Sequence, residues 1–181
     1  MPSPSSDART RGPFAATLAA VAAAGVLACS GCGYTASPAL LPQHLKSVAI
    51  PVFENGTAEA QLEQQITDAV VQAFVKDNHL RIVDEKSANA VIRGRVTQYK
   101  NDVFGFTSTA QATQFRVTVG VQITFKDLVK NRELWSDEIV KSAIYSVVPT
   151  AGQDAKSDLD GRKDAIAKIA DEVLSRSVEG W

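Results

Sequence analysis

The sequence predicts an α+β fold: a two-layer sandwich with two helices packed on one face of a mostly antiparallel sheet of about four strands. Three observations carry this prediction. Two segments place apolar residues at three- and four-residue spacing, as amphipathic helices do. One segment alternates apolar and polar residues without a fault for eleven positions, and the other strand candidates are also apolar on one side only. A sheet with one dry face needs one layer of cover, and two helices supply it. The 181 residues, 45% hydrophobic and 22% charged, provide one such domain plus an N-terminal appendage.

That appendage reads as an address. Residues 1–12 are polar and carry Arg9 and Arg11 against one acid, Asp7, and residues 14–28 (FAATLAAVAAAGVLA) are almost unbroken apolar sequence. A basic stretch, a short apolar run and small residues before a cut form a secretory leader, and the run falls short of the ~20 residues of a spanning helix. Both cysteines of the chain stand at its end, Cys29 and Cys32. No second pair or histidine cluster completes a metal site, and the domain holds no cysteine with which to build a disulfide framework. Lipid attachment is the use that remains. Ser30-Gly31 places small residues just before Cys32; Val26-Leu27-Ala28 places an aliphatic residue three before Cys29, which is the alternative. The division is therefore a lipoprotein signal peptide over 1–31, an acylated N-terminus and tether over 32–46, and a domain over 47–181. Neither cysteine is followed by Asp, so the expected destination is the outer membrane, on its periplasmic side. The expected modification is a covalent diacylglycerol with an N-acyl chain, and no other cofactor.

Within the domain, residues 47–53 (SVAIPVF) form a β-rich run ended by Pro51. Glu54-Asn55-Gly56-Thr57 is turn chemistry, with Thr57 placed to cap a helix over 58–76 and Glu59 in its first turn. Leu62, Ile66, Ala69, Val70, Ala73 and Phe74 make its stripe, and Asp77-Asn78 stops it. A short strand spans 80–83. In residues 90–100, Ile92, Gly94 and Val96 share one face and Arg93, Arg95, Thr97 and Tyr99 the other. Over 115–125, Phe115, Val117, Val119, Val121, Ile123 and Phe125 alternate with Arg116, Thr118, Gly120, Gln122 and Thr124. Residues 134–148 pair back as a hairpin, and a last helix begins at Asp158 or Asp160 with Ile166, Ile169, Ala170, Val173 and Leu174 inward.

The residues that remain argue against an enzyme. His44 and His79 have no Asp-x-Ser or Cys nucleophile context in sequence and are expected at the surface. There is no phosphate-binding glycine loop, and a net charge of -1 without a basic run excludes a nucleic-acid partner. Two features stand out. The polar sheet face carries Arg93, Arg95, Arg116 and Lys126, and the connection over 101–113 (NDVFGFTSTAQAT) offers Phe104 and Phe106 in small, polar sequence as an apolar tip for a partner or a lipid.

Cys32-Gly33-Tyr34, the run LPQHLKSVAIPVFEN over 41–55, the Leu62-Glu63 helix, Arg81-Ile82-Val83, residues 90–99, Phe115-Arg116-Val117-Thr118-Val119 and Leu134-Trp135 together resemble the lipopolysaccharide-assembly lipoprotein (LptE) family. The order and spacing carry the resemblance across nearly the whole mature chain. It implies a two-helix, one-sheet lipoprotein that partners an outer-membrane β-barrel translocon of the LptD type and binds lipopolysaccharide. It makes Arg93, Arg95, Arg116 and Lys126 candidates for lipopolysaccharide phosphates. The alternative class is a periplasmic module like the N-terminal domains of TolB or of the curli-secretion lipoprotein, which open with a similar strand before a helix; it implies an envelope or secretion-complex subunit.

Overall fold

The computed structural model describes residues 41–149, 152 and 154–179. The leader, Cys29, Cys32 and most of the tether lie outside the described residues. In chain order the elements are β1 (Ser47–Ala49), β2 (Glu54–Asn55), α1 (Leu62–Asp77), β3 (Arg81–Ile82), a 3-10 turn (Glu85–Ser87), β4 (Ala90–Phe106), β5 (Ala112–Asp127), β6 (Arg132–Ser146) and α2 (Asp158–Val178). The sheet runs β3-β1-β4-β5-β6, with β2 also on β4.

Both helices cover one sheet face, as expected, but the sheet is mixed and has six strands among the described residues. The long ladders β4–β5 and β5–β6 are antiparallel, whereas β1 pairs in parallel with β3 and β4, and β2 in parallel with β4. The reason is connectivity: β1 reaches β3 through α1, and a helical crossover returns the chain in the same direction. His79 is exposed, as expected, whereas His44 and the tether depart from expectation. Leu45 is buried, and the His44 ring donates from Nε2 to the Oδ2 of Asp127 (2.7 Å), so the chain is already part of the domain before β1.

The β5 alternation is borne out. Val117, Val119, Val121, Ile123 and Phe125 are fully buried against Leu62, Ile66, Val70 and Phe74 of α1 and Ile169 and Val173 of α2 in a single core. Removing such side chains from water is the main source of the domain's stability. Gly94 belongs here because a Cβ would overlap the ring of Phe53.

Four local expectations are corrected. The first helix begins at Leu62, with no side-chain cap and Gln61 in the left-handed region. Thr57 is taken by Asn55, whose Oδ1 accepts from the Thr57 N–H (2.9 Å) and hydroxyl (2.8 Å) while its Nδ2 donates to the Glu59 carbonyl. The second helix is capped by Ser157, with Asp160 as the reciprocal partner of a capping box rather than the cap. A bulge between Val96 and Gln98 shifts the register, so Tyr99 pairs with Val119 and turns to the helix face, not to the arginine face. Finally, β4 continues to Phe106, so Phe104 and Phe106 lie on a strand and the connection shrinks to 107–111.

Candidate functional site

The sheet face opposite the helices is open, and the register assigns its side chains. Arg93 stands across from Thr124, Arg95 from Gln122, and Lys126 between Val91 on β4 and Glu133 on β6. Arg93 forms an ion pair with Glu85 of the 3-10 turn, and Arg95 lies 3.9 Å from Glu54; all four side chains are exposed, so these contacts are worth little individually. The parallel pairing of β2 puts Glu54 beside Arg95. Three cations thus gather at the end of the sheet where β1 and β2 join β4.

Arg116 is not among them. It pairs across from Asp102 and Ile144, six residues along β5 from Gln122 or about 20 Å. Its guanidinium lies over the ring of Phe104, 4.2 Å from the centroid. Phe104 is 45% exposed, Phe106 64%, and Ile144 and Val140 of β6 also lie bare on the open face at 46% each. The sequence expectation of one basic patch therefore resolves into two places: a cationic end formed by Arg93, Arg95 and Lys126, and a far end where bare apolar side chains stand beside Arg116, with Lys100 and Asp102 on the same face. Val140 and Ile144 went unnoticed in the sequence because nothing there ranks the two faces of β6.

Two polar clusters fix these ends. At the cationic end the fully buried carboxylate of Asp127 accepts from the N–H groups of Val129 (2.9 Å) and Lys130 (3.0 Å) and bonds His44. Burial works to raise its pKa, but the Lys130 N–H, His44 and the Val129 N–H outweigh it and hold the carboxyl below the ordinary value. At the far end, where helix cover stops, Asp158 accepts from the Tyr99 hydroxyl (2.9 Å), Asn101 (2.8 Å) and Arg162 (2.9 Å), and Arg162 also pairs with Glu59 at 2.7 Å. Burial and the bond to Asp158 push the Tyr99 phenol up to about 12. Wherever these groups cross elements they lie far apart in the chain, 44 residues for Asn101–Tyr145 and 83 for His44–Asp127, and no local motif announces them.

On the opposite side, α1 and α2 leave a shallow apolar cleft of about 460 Å³ between Ala69 and Ile166. No helix among the described residues is long and apolar enough to cross a membrane.

The comparisons agree with the architecture. The model of the LptE family, described as lipopolysaccharide-assembly, matches residues 45–177. A protein from Xanthomonas campestris superposes with a TM-score of 0.56 at 11% identity, over 76% of this chain and 86% of its own. A hypothetical protein from Chlamydia trachomatis gives 0.51 at 10% identity, over 73% and 95%. Both likenesses are of fold alone. No curated protein matches the chain.

Proposed function

Because the chain belongs to the LptE family of lipopolysaccharide assembly, we propose that it is an outer-membrane lipoprotein, facing the periplasm, that partners a β-barrel translocon of the LptD type and engages lipopolysaccharide on its open sheet face. Acylation at Cys32, or at Cys29 as the alternative, anchors it there. The observation that carries the ligand reading is the grouping of Arg93, Arg95 and Lys126 on one exposed, solvated face beside each other in the ladder. Guanidinium forks suit phosphate oxygens, which they engage bidentately. The exposed rings of Phe104 and Phe106 at the far end offer the apolar contact that a barrel wall or an acyl chain needs. The chain works by binding and positioning, with no step of bond chemistry.

Reversing charge tests this reading. The lipidated protein carrying Arg93→Glu and Arg95→Glu is expected to lose at least tenfold in affinity for lipopolysaccharide, with an unchanged melting temperature. Added salt is expected to weaken wild-type binding, since exposed charges are screened over about 10 Å at 0.1 M. Binding as tight as wild type by the folded double variant would refute the cationic end as the ligand site. Copurification with a β-barrel from outer membranes tests the partner, and its loss in Phe104→Asp with Phe106→Asp assigns the contact.

A further inference from the structure

Charge is unevenly spread along the chain. Residues 103–115 and 142–153 contain no Asp, Glu, Lys or Arg, in a protein that is 22% charged. The fold sets the first stretch beside the start of the second. Phe115 faces Tyr145 and Gln114 faces Ser146 in the ladder, and the Val147 N–H donates to the Thr113 carbonyl at 3.0 Å. The β4–β5 hairpin beyond the Asp102–Arg116 position and the end of β6 beside it thus form one uncharged end. Lys156 approaches its flank, donating its N–H to the Ser146 carbonyl, but its ammonium is held by Asp164 at 3.1 Å.

The bare side chains of this end point both ways. Val103 pairs with Phe115 on the helix side, past the end of helix cover, while Phe104 and Ile144 lie on the open side with Arg116. Phe106 and Val147 are exposed beyond them. A protein docking on a sheet covers one face of it, and the lumen of a β-barrel is polar. Apolar groups on both faces suit a medium that surrounds an inserted element. Charged groups would be costly there, whereas phenylalanine rings between small polar residues suit the boundary of headgroups and acyl chains. We propose that this end dips into the headgroup region of a phospholipid bilayer, so that the chain meets its membrane through the β4–β5 hairpin as well as through its acylated cysteine. The inference rests on the proposed membrane location and not on ligand binding by Arg93 and Arg95. Its depth is set by two features. Phe106 lies four residues past Asp102, roughly 13 Å along the strand, and interfacial elements reach about 5–10 Å into the boundary. The rings therefore enter while Lys100, Asp102 and Arg116 stay hydrated. Past the β2 pairing, β4 has β5 as its one neighbour among the described residues, and its free backbone groups keep the end out of the dry acyl core.

The full lipidated chain in vesicles of phosphatidylethanolamine and phosphatidylglycerol tests this. Phe106→Trp is expected to be quenched by lipids brominated near the top of the acyl chain at least twofold more than the two native tryptophans of the wild type. Lys130→Trp, in the β5–β6 turn at the opposite end, is expected to match the wild type. Adding Ser108→Asp and Ala110→Asp to Phe106→Trp is expected to abolish the excess with an unchanged melting temperature. Ala110 already has a φ of 60°, which Asp tolerates. No excess for Phe106→Trp, an equal excess for Lys130→Trp, or an excess that survives the two added charges overturns the proposal. In outer membranes, p-benzoylphenylalanine in place of Phe106 is expected to give lipid adducts on illumination; a cross-link to a β-barrel protein instead overturns the bilayer as the occupant. Lipopolysaccharide binding and copurification of a barrel are read separately, so the proposed function and this inference can fail independently.

Discussion

The same two strands, β4 and β5, build two unlike ends. Where they meet β1 and β2, every inward side chain is buried, β4 has a neighbour on both edges, and the β5–β6 turn is pinned through Asp127 to His44. Past the Tyr99–Asp158–Arg162 cluster both helices are gone, and Val103, Phe104 and Phe106 stand in solvent. Strand character is common to both ends; what differs is cover. An isolated two-stranded ribbon is barely stable in water, so the far end persists because it is the continuation of a ladder whose other half is locked into a core. The pinned end is a stability device, and the bare end is free to serve contact.

The largest expected effect comes from placing the same charge at both ends. Val121→Asp buries an unpaired carboxylate where the side chain has no exposure, and is expected to cost about 3–5 kcal/mol, enough to unfold a marginal domain. Val103→Asp, on the same sheet face but beyond the helices, is expected to change stability by no more than about 0.5 kcal/mol. Thermal melts of the two variants check this directly. Equal losses would mean that the far end is covered in solution and that the contrast is wrong.

Asp127→Ala probes the pin itself. It leaves the N–H groups of Val129 and Lys130 and the His44 ring without their acceptor, and is expected to cost about 1–3 kcal/mol. The pH dependence follows from the depressed carboxyl. Its folded pKa lies below the ordinary value of 3.8, so the unfolded chain binds the proton first as pH falls. The stabilisation is fully present above the unfolded pKa and is lost as pH drops through 3.8 and below it. Wild type is therefore expected to lose stability between about pH 5 and 2 more steeply than Asp127→Ala. Parallel curves for the two proteins would remove Asp127 from the acid response.

How much of this contrast is visible in sequence depends on whether the cause is local. The β5 alternation and the helix stripes are local, and they identify the core side chains, the covered face and the two-layer plan. The bulge after Val96 is not: one extra residue turns Tyr99 and Asn101 inward, and only their partners on α2 and β6 explain why the strand tolerates it. The parallel placement of β1 and β2 follows from the α1 crossover, which alternation does not report. Among the candidate site residues, the exposed face of Arg93, Arg95 and Lys126 follows from the β-period, but the separation of Arg116 from them follows from the pairing register of two strands joined by a hairpin whose turn begins only at residue 107. The expectation that His44 is a bare surface residue failed for the same reason, since its partner lies 83 residues away.

The smallest expected effect belongs to the far end and concerns Arg116 and Phe104. A guanidinium 4.2 Å from a ring centroid is within cation–π range, and both side chains are exposed, so water competes for each. Asp102 lies across the ladder from Arg116, but among the described residues the guanidinium forms no ion pair and its contact is the Phe104 ring. At exposed sites such contacts are worth about 0.5–1 kcal/mol. Arg116→Gln is accordingly expected to lower the melting temperature by only about 2–4 °C, and Phe104→Leu by a similar amount, since each removes the same contact. Combining them separates the contact from other effects: if ring and guanidinium stabilise each other, the double variant loses less than the sum of the two, with a coupling of about 0.5–1 kcal/mol. Strict additivity would show that the pair is a chance approach on a solvated face. A coupling as large as the cost of Asp127→Ala would show instead that the far end is pinned as firmly as the near one.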